Sequence, residues 1–425
     1  MGKSFWTHAL LNPVLRDRLA DYYNHASLRN CRVEIGFNGS SKVLAFAPTI
    51  EEMEELHRRG TNPDLIWRGV LLRIAKAILF NATAPSLATA INQLEIDPAL
   101  YSSTLSQLDE SLASSSQQLL IVFDALDRLG KDWPSIRALS TALLRLAVGL
   151  QSFRSIRAKI FMRVDQFSDQ EIFRFPDSSK IRNDHVSLIW QPAELYGLLL
   201  FEILRHDLGG LALRDLATAI GAVPALPLNG ADARAHPDEQ RLLVHSLAGE
   251  FMGSNKKRGL VYTWVPLHLS DAANTCSPRT FLTAWKKAAE HQPPPTARTV
   301  DHLGLLDGVR SASTDRLNEL YEDYRWIQPS LEALRRQFVP MEREQLFELW
   351  REKEVISAIS KSASDQVANV PPGLVDASDL STLLEAMKNI AVIEERSNGK
   401  INVPDIFRVE AGILRKGGVA VPRRY

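Results

Sequence analysis

Residues 117–133, QQLLIVFDALDRLGKDW, constrain this chain more than any other stretch. Leu119–Phe123 is a short, unbroken apolar run, the pattern of a strand buried on both faces of a parallel sheet. Parallel strands need a crossover of a dozen or more residues between them. The sequence supplies one, because its spacing predicts a helix from Pro134 to about Gln151. A second strand is then predicted at AKIFMRV (158–164) and a third at HVSLIW (185–190). CRVEIGF (31–37) alternates apolar and polar residues like a half-buried strand. These spacings predict an α/β fold with helices on the faces of a parallel sheet.

The apolar run ends on Asp124. A parallel strand delivers its last side chain to the carboxyl edge of the sheet, where open α/β folds bind ligands. A carboxylate there suits the magnesium that bridges a nucleotide's outer phosphates, although any buried strand ending in an acidic turn has the same pattern. The next strand ends in Arg163 and Asp165, which either places a guanidinium beside phosphate or forms a surface ion pair. Farther on, SPRTF opens a helix with Ser277 as N-cap and Pro278 at the first helical position. Arg279 projects from that first turn, either toward phosphate or simply into solvent.

The chain opens MGKSFWTHAL, and Gly2-Lys3-Ser4 directly precedes apolar positions at helical spacing (Phe5, Ala9, Leu10, Leu15, Leu19). A phosphate-binding loop reads G-x-x-x-x-G-K-[ST], which makes Met1 its fourth variable position. Alone, the tripeptide fits a chance match as well as half a loop. Glycine-lysine-serine before a helix, a strand ending in Asp, the next ending in Arg and a helical region with Pro-Arg stand in the order a P-loop ATPase needs. At this point the chain resembles the AAA/STAND-like P-loop NTPases. FDALDRL looks most like the Walker B motif of KAP-type relatives, and the resemblance spans roughly residues 1–290.

The resemblance implies ATP and Mg²⁺ as cofactors. Gly2, Lys3 and Ser4 would bind the nucleotide, with Lys3 on the β/γ-phosphates and Ser4 and Asp124 on the metal. Arg163 and Arg279 would sense the γ-phosphate. Many relatives carry a second acid directly after the magnesium Asp; here that residue is Ala125, so Asp127 is the candidate general base, unless it pairs with Arg128 instead. The first half of the loop and the strand before it are expected to precede this sequence, and the polypeptide as it stands is expected to bind ATP weakly or not at all.

The expected layout is a P-loop core at 1–190 whose first strand is missing, with a helical insertion at about 40–117. A helical lid at 191–290, a helical connector at 300–371 and a winged-helix-like unit at 372–425 follow. Asn398-Gly399 marks a hairpin turn in that last unit. From 396 onward Arg396, Lys400, Arg408, Arg415, Lys416, Arg423 and Arg424 face only Asp405 and Glu410, a local excess suited either to DNA phosphates or to a solvated tail.

Composition excludes more than it assigns. Fifty basic and fifty acidic residues give a formal net charge of zero, so the whole chain argues for no charged partner. Cys31 and Cys276 match no metal spacing, and the ten histidines form no HExxH pair. No apolar run approaches the roughly 20 residues of a membrane span, and no export signal is evident; a cytoplasmic protein without membrane contact is expected. The function expected from the resemblance is a nucleotide-dependent switch in bacterial signalling or defence, with the nucleotide and a protein partner or a second copy as its expected partners. The rival expectation is a degenerate, non-hydrolysing P-loop protein that acts through its winged helix on DNA or protein.

Overall fold

The computed structural model describes residues 2–130, 132–228, 232–365, 371, 379–415 and 419, and is an α/β structure. Its residues form two compact units that divide between Ser187 and Leu188.

The first unit contains the sheet. Helices α1 (Lys3–Leu11) and α2 (Pro13–Tyr22) precede strand β1 (Cys31–Phe37). Four helices follow: α3 (Ile50–Arg58), α4 (Pro63–Phe80), α5 (Leu87–Ile96) and α6 (Ala99–Ser114). Then come β2 (Gln118–Phe123), α7 (Trp133–Leu150), β3 (Ile156–Ile160), α8 (Val164–Ser168) and α9 (Ser178–Asn183). The three strands are parallel in the order β1-β2-β3, with Ile121 opposite Glu34 on one side and Ala158 on the other.

Helix α4 begins at a capped Asn62-Pro63 and is buried along most of its length, because it is the central helix of this unit's core. Trp67 meets Phe37 and Phe123 edge-on, at 6.2 and 5.6 Å between ring centres, and its indole N–H donates to the Leu139 carbonyl of α7 at 2.9 Å. The aromatic contacts fasten α4 to β1 and β2, and the hydrogen bond fastens it to α7. Gly36 is required beneath them: a Cβ there would lie 2.3 Å from the Phe123 ring.

The strand expected at 185–190 does not form. Residues 186–190 have no regular structure, Val186 and Ile189 are exposed, and Trp190 packs on the core of the second unit. An apolar stretch becomes a strand only where another strand offers it hydrogen bonds. Here the stretch is the crossing between the two units.

The second unit is mostly helical. It runs through α10 (Pro192–Leu204), α11 (Asp207–Ala219), α12 (Pro237–Ala248), α13 (Val261–Leu269), α14 (Pro278–Ala289), α15 (His302–Asp323) and α16 (Ile327–Glu332). Strand β4 (Phe338–Val339), α17 (Arg343–Glu352), α18 (Val355–Asp365) and α19 (Leu380–Asn389) follow. The chain then forms β5 (Glu394–Glu395), β6 (Ile401–Asn402), α20 (Asp405–Ala411) and β7 (Leu414–Arg415). One continuous core joins Tyr196 and Phe281 at its start to Trp350 and Phe407 near its end. The hairpin expected around Asn398-Gly399 is present: β5 and β6 pair antiparallel, and Gly399 takes a φ of 77° at the turn. Met341, just after β4, bridges to Ile401 of β6, and β4 itself pairs with β7.

Candidate functional site

The first unit gathers charged residues at the carboxyl edge of its sheet. Asp124 directly follows β2 and is 6% exposed. Its Oδ1 accepts from the Ala125 N–H at 2.8 Å and its Oδ2 from the Thr7 hydroxyl at 3.1 Å. Two hydrogen bonds keep a buried carboxylate in place, and the second ties β2 to α1 across 117 residues of chain.

Helix α1 starts at Gly2, whose φ of 92° is a left-handed conformation suited to glycine. Lys3 is the first helical residue, and its ammonium feels Asp127, Asp124, Arg163 and Asp165. Burial pushes its pKa below the ordinary lysine value, Arg163 acts in the same sense, and the three carboxylates oppose them. Ser4 is exposed in the first turn, one turn before Thr7 and on the same helix face. Thr7 is the residue that sequence reasoning missed. Its signal was its spacing of three from Ser4.

Beyond Asp124 the chain turns sharply. Ala125 has a φ of 56°, a left-handed conformation costing about 1–2 kcal/mol in a non-glycine residue. The turn is held from above by the loop after β1. Gly39, itself at φ 63°, lies so close that a Cβ would come within 2.8 Å of the Ala125 Cβ, and its carbonyl accepts from Arg128 at 3.3 Å. Arg128 is thus tied to the β1 loop, and Asp127 pairs with Arg163 at 3.7 Å. Of the two roles open to Asp127, the ion pair is present, with a different arginine.

Arg163 follows β3 as the N-cap residue of α8, and its Nε also contacts Asp165 at 3.2 Å. Its side chain is 20% exposed and lies between the two acids. Lys3, Asp124, Asp127, Arg163 and Asp165 therefore meet at one sheet edge from three separate stretches of chain. Two cations and three carboxylates in partial burial form a net-acidic cluster that suits a cation or a cation-bridged anion.

The other expected residues lie elsewhere. Arg279 belongs to the second unit, where its side chain is 81% exposed and pairs with Glu319 at 3.1 Å. Ser277 is the N-cap of α14 but makes no side-chain cap bond, and Pro278 is its first residue. Of the seven basic residues suggested for DNA, Lys416, Arg423 and Arg424 lie outside the described residues. The other four have acidic partners: Arg396 with Glu394, Lys400 with Glu342, and Arg408 and Arg415 with Asp405. Arg408 is fully buried.

Among the described residues no group of three or more His, Cys, Asp or Glu side chains is arranged to hold a metal ion by itself. No helix among them is long and apolar enough to cross a membrane. No protein-family model matches this chain, and neither a curated protein nor a solved structure matches it.

Proposed function

We propose that the sheet-edge cluster is a Mg²⁺-nucleotide site of the P-loop type, and that the protein is a nucleotide-dependent switch. One observation carries the reading. Lys3 at the start of α1, Asp124 directly after β2 and Arg163, three residues beyond β3 at the N-cap of α8, share one electrostatic cluster. These are three of the positions that the P-loop resemblance singles out, and the carboxyl edge of a parallel sheet is where such folds bind ligands.

The donor set suits the cofactor. Mg²⁺ takes one or two protein oxygens and keeps water and phosphate for the rest, so a carboxylate and a hydroxyl without a full cage fit it. Asp124 and Ser4 would hold the ion, Lys3 the β/γ-phosphates and Arg163 the terminal phosphate. Bound Mg²⁺-ATP supplies a phosphoanhydride whose charge the cation partly neutralises. The chain's own part is to orient. Thr7 fixes the Asp124 carboxylate, and the Asp127 and Asp165 carboxylates hold the Arg163 guanidinium.

A non-hydrolysing protein is the second reading, favoured by the state of Asp127. A general base must be within reach of water and able to take its proton, yet Asp127 is paired with Arg163 and position 125 is an alanine. On that reading nucleotide binding alone sets the state, and the hairpin-bearing C-terminal region, expected from sequence to be winged-helix-like, is the output module.

The test is Mg²⁺-dependent binding of a fluorescent ATP analogue, with phosphate release measured in parallel. Binding that requires Mg²⁺ and weakens at least tenfold in Lys3→Ala and in Asp124→Asn supports the site. Binding that is indifferent to both substitutions and to Mg²⁺ rejects it. Binding without phosphate release selects the second reading.

A further inference from the structure

The second unit holds a cavity of about 430 Å³ between the end of α13, the loop after it, the β5–β6 hairpin and the start of α20. Most of the residues lining it are polar or charged, and the carboxylates among them are already engaged. Asp271 accepts from the Ala273 and Thr275 N–H groups at 3.0 Å each and from the Thr275 hydroxyl at 2.6 Å. Glu394 accepts from Asn402 Nδ2 at 2.5 Å and from Arg396 Nε at 3.5 Å. Asp405, 4% exposed, accepts from Arg408 at 2.6 Å, from Arg415 at 3.2 Å and from the Val419 N–H at 3.3 Å.

What remains unmatched is specific. The terminal nitrogens of Arg396 and the second terminal nitrogen of Arg415 have no acceptor among the described residues, and both side chains are about one-third exposed. Asn402 is 2% exposed, yet its Oδ1 has no donor among the described residues. His268 offers one more acceptor. Its Nδ1 lies 2.8 Å from the Trp264 carbonyl, which can only accept, so Nδ1 carries the proton. In the neutral ring Nε2 is then a lone pair, and it sits 3.5 Å from Asp405 Oδ2.

The cavity thus combines the free terminal nitrogens of Arg396 and one of Arg415 with a buried acceptor on Asn402 and a half-buried one on His268. Guanidinium forks match the planar oxygens of carboxylates and phosphates bidentately. The acceptors at Asn402 and His268 need a donor from the same ligand. We propose that this cavity binds a small oxyanion carrying its own hydrogen-bond donor, the chemistry shared by a phosphate monoester and a hydroxy- or amino-carboxylate. Arg396 and Arg415 receive the anionic oxygens, and Asn402 and His268 receive the donor.

The acceptor role requires the neutral ring. Burial lowers the His268 pKa, Asp405 raises it, and Arg415 and Arg408 lower it. Asp271, Glu394 and Arg396 are the other charged groups in the walls. With His268 neutral the three wall carboxylates are balanced by Arg396, Arg408 and Arg415. Proton uptake at Nε2 removes the lone pair that receives the ligand's donor and turns that nitrogen toward Asp405, so affinity falls as pH falls.

Calorimetric titration of the full chain tests this, with inorganic phosphate, glycolate and chloride at matched ionic strength. Phosphate is titrated in a Lys3→Ala background, so that the sheet-edge cluster does not contribute. Saturable binding of phosphate or glycolate at millimolar concentration or tighter, with chloride silent, is expected; binding of only one identifies the source of the oxyanion. Arg396→Gln is expected to weaken it at least tenfold, and Arg396→Lys, which keeps the charge without the fork, to recover only part. Glycolate stays ionised between pH 6 and 8, and its affinity is expected to decrease toward pH 6. No saturable binding of either anion, or binding unchanged in a folded Arg396→Gln protein, overturns the proposal.

Discussion

The Thr7 hydroxyl touches a carboxylate that water barely reaches, so its loss is felt twice. Thr7→Val keeps the shape and removes the donor, leaving one lone pair of Asp124 without its partner. The expected cost is about 1–3 kcal/mol, read as a lower denaturation midpoint with unchanged slope. Lys3 gives a prediction with a sign. Its folded pKa lies below the ordinary value of 10.5, first because it is buried. Between those two values the unfolded chain binds a proton that the folded chain does not. Stability therefore rises with pH across that window, and the cost of the buried charge is fully present below it. Since Asp127 raises this pKa, Asp127→Asn is expected to lower it further. Trace acetylation of Lys3 against pH, followed by mass spectrometry of its peptide, checks both points; a midpoint equal to that of surface lysines contradicts them. Asp124 was legible in the sequence because a strand-ending acid has only one place to go. Thr7 was not, because which turn of α1 meets the carboxylate depends on how far the helix advances along the sheet.

Elements with strong local signals formed where their residues placed them, and those that depend on a neighbour did not always. The helix over 133–150 starts with Asp132 accepting from the Ser135 N–H and with proline in its first turn, signals contained within a few residues. The turn at Asn398-Gly399 is equally local. HVSLIW had the composition of a strand but no partner, and nothing within six residues reveals that. Gly36 is a similar case, since its reason lies in a ring 87 positions away. Gly36→Ala puts a methyl group against the ring of Phe123, which Trp67 of α4 meets edge-on. Overpacking of this kind costs about 1–3 kcal/mol. Differential scanning calorimetry should show the loss, and the second substitution Phe123→Leu, by making room, should return part of it. If Gly36→Ala is neutral, the close approach at β1–β2 is not tight.

On the scale of the whole molecule, a net charge of zero conceals local imbalance that folding largely cancels. The basic stretch near the C-terminus reads as a DNA surface in sequence, because its acidic partners are distant or on the far side of a turn. Folding brings Glu342 to Lys400 and buries Asp405 between Arg408 and Arg415. The division near residue 187 was partly legible, as the change from alternating strands and helices to helices alone. The unity of 188–425 was not, because it rests on one core that runs from Tyr196 to Phe407. Each unit has its own core, so each can be perturbed separately. In the second, Trp350 is fully buried and its indole N–H donates to the Ser330 carbonyl at 3.0 Å. Trp350→Phe removes that donor and part of the ring, at an expected cost of about 2 kcal/mol or more. Hydrogen exchange followed by mass spectrometry should then show faster exchange in peptides from α16 and α17, with α4 and α7 unchanged. Gly36→Ala should give the opposite map. If either substitution accelerates exchange across both sets of peptides, the two cores open as one cooperative unit, and the division at 187 has no energetic meaning.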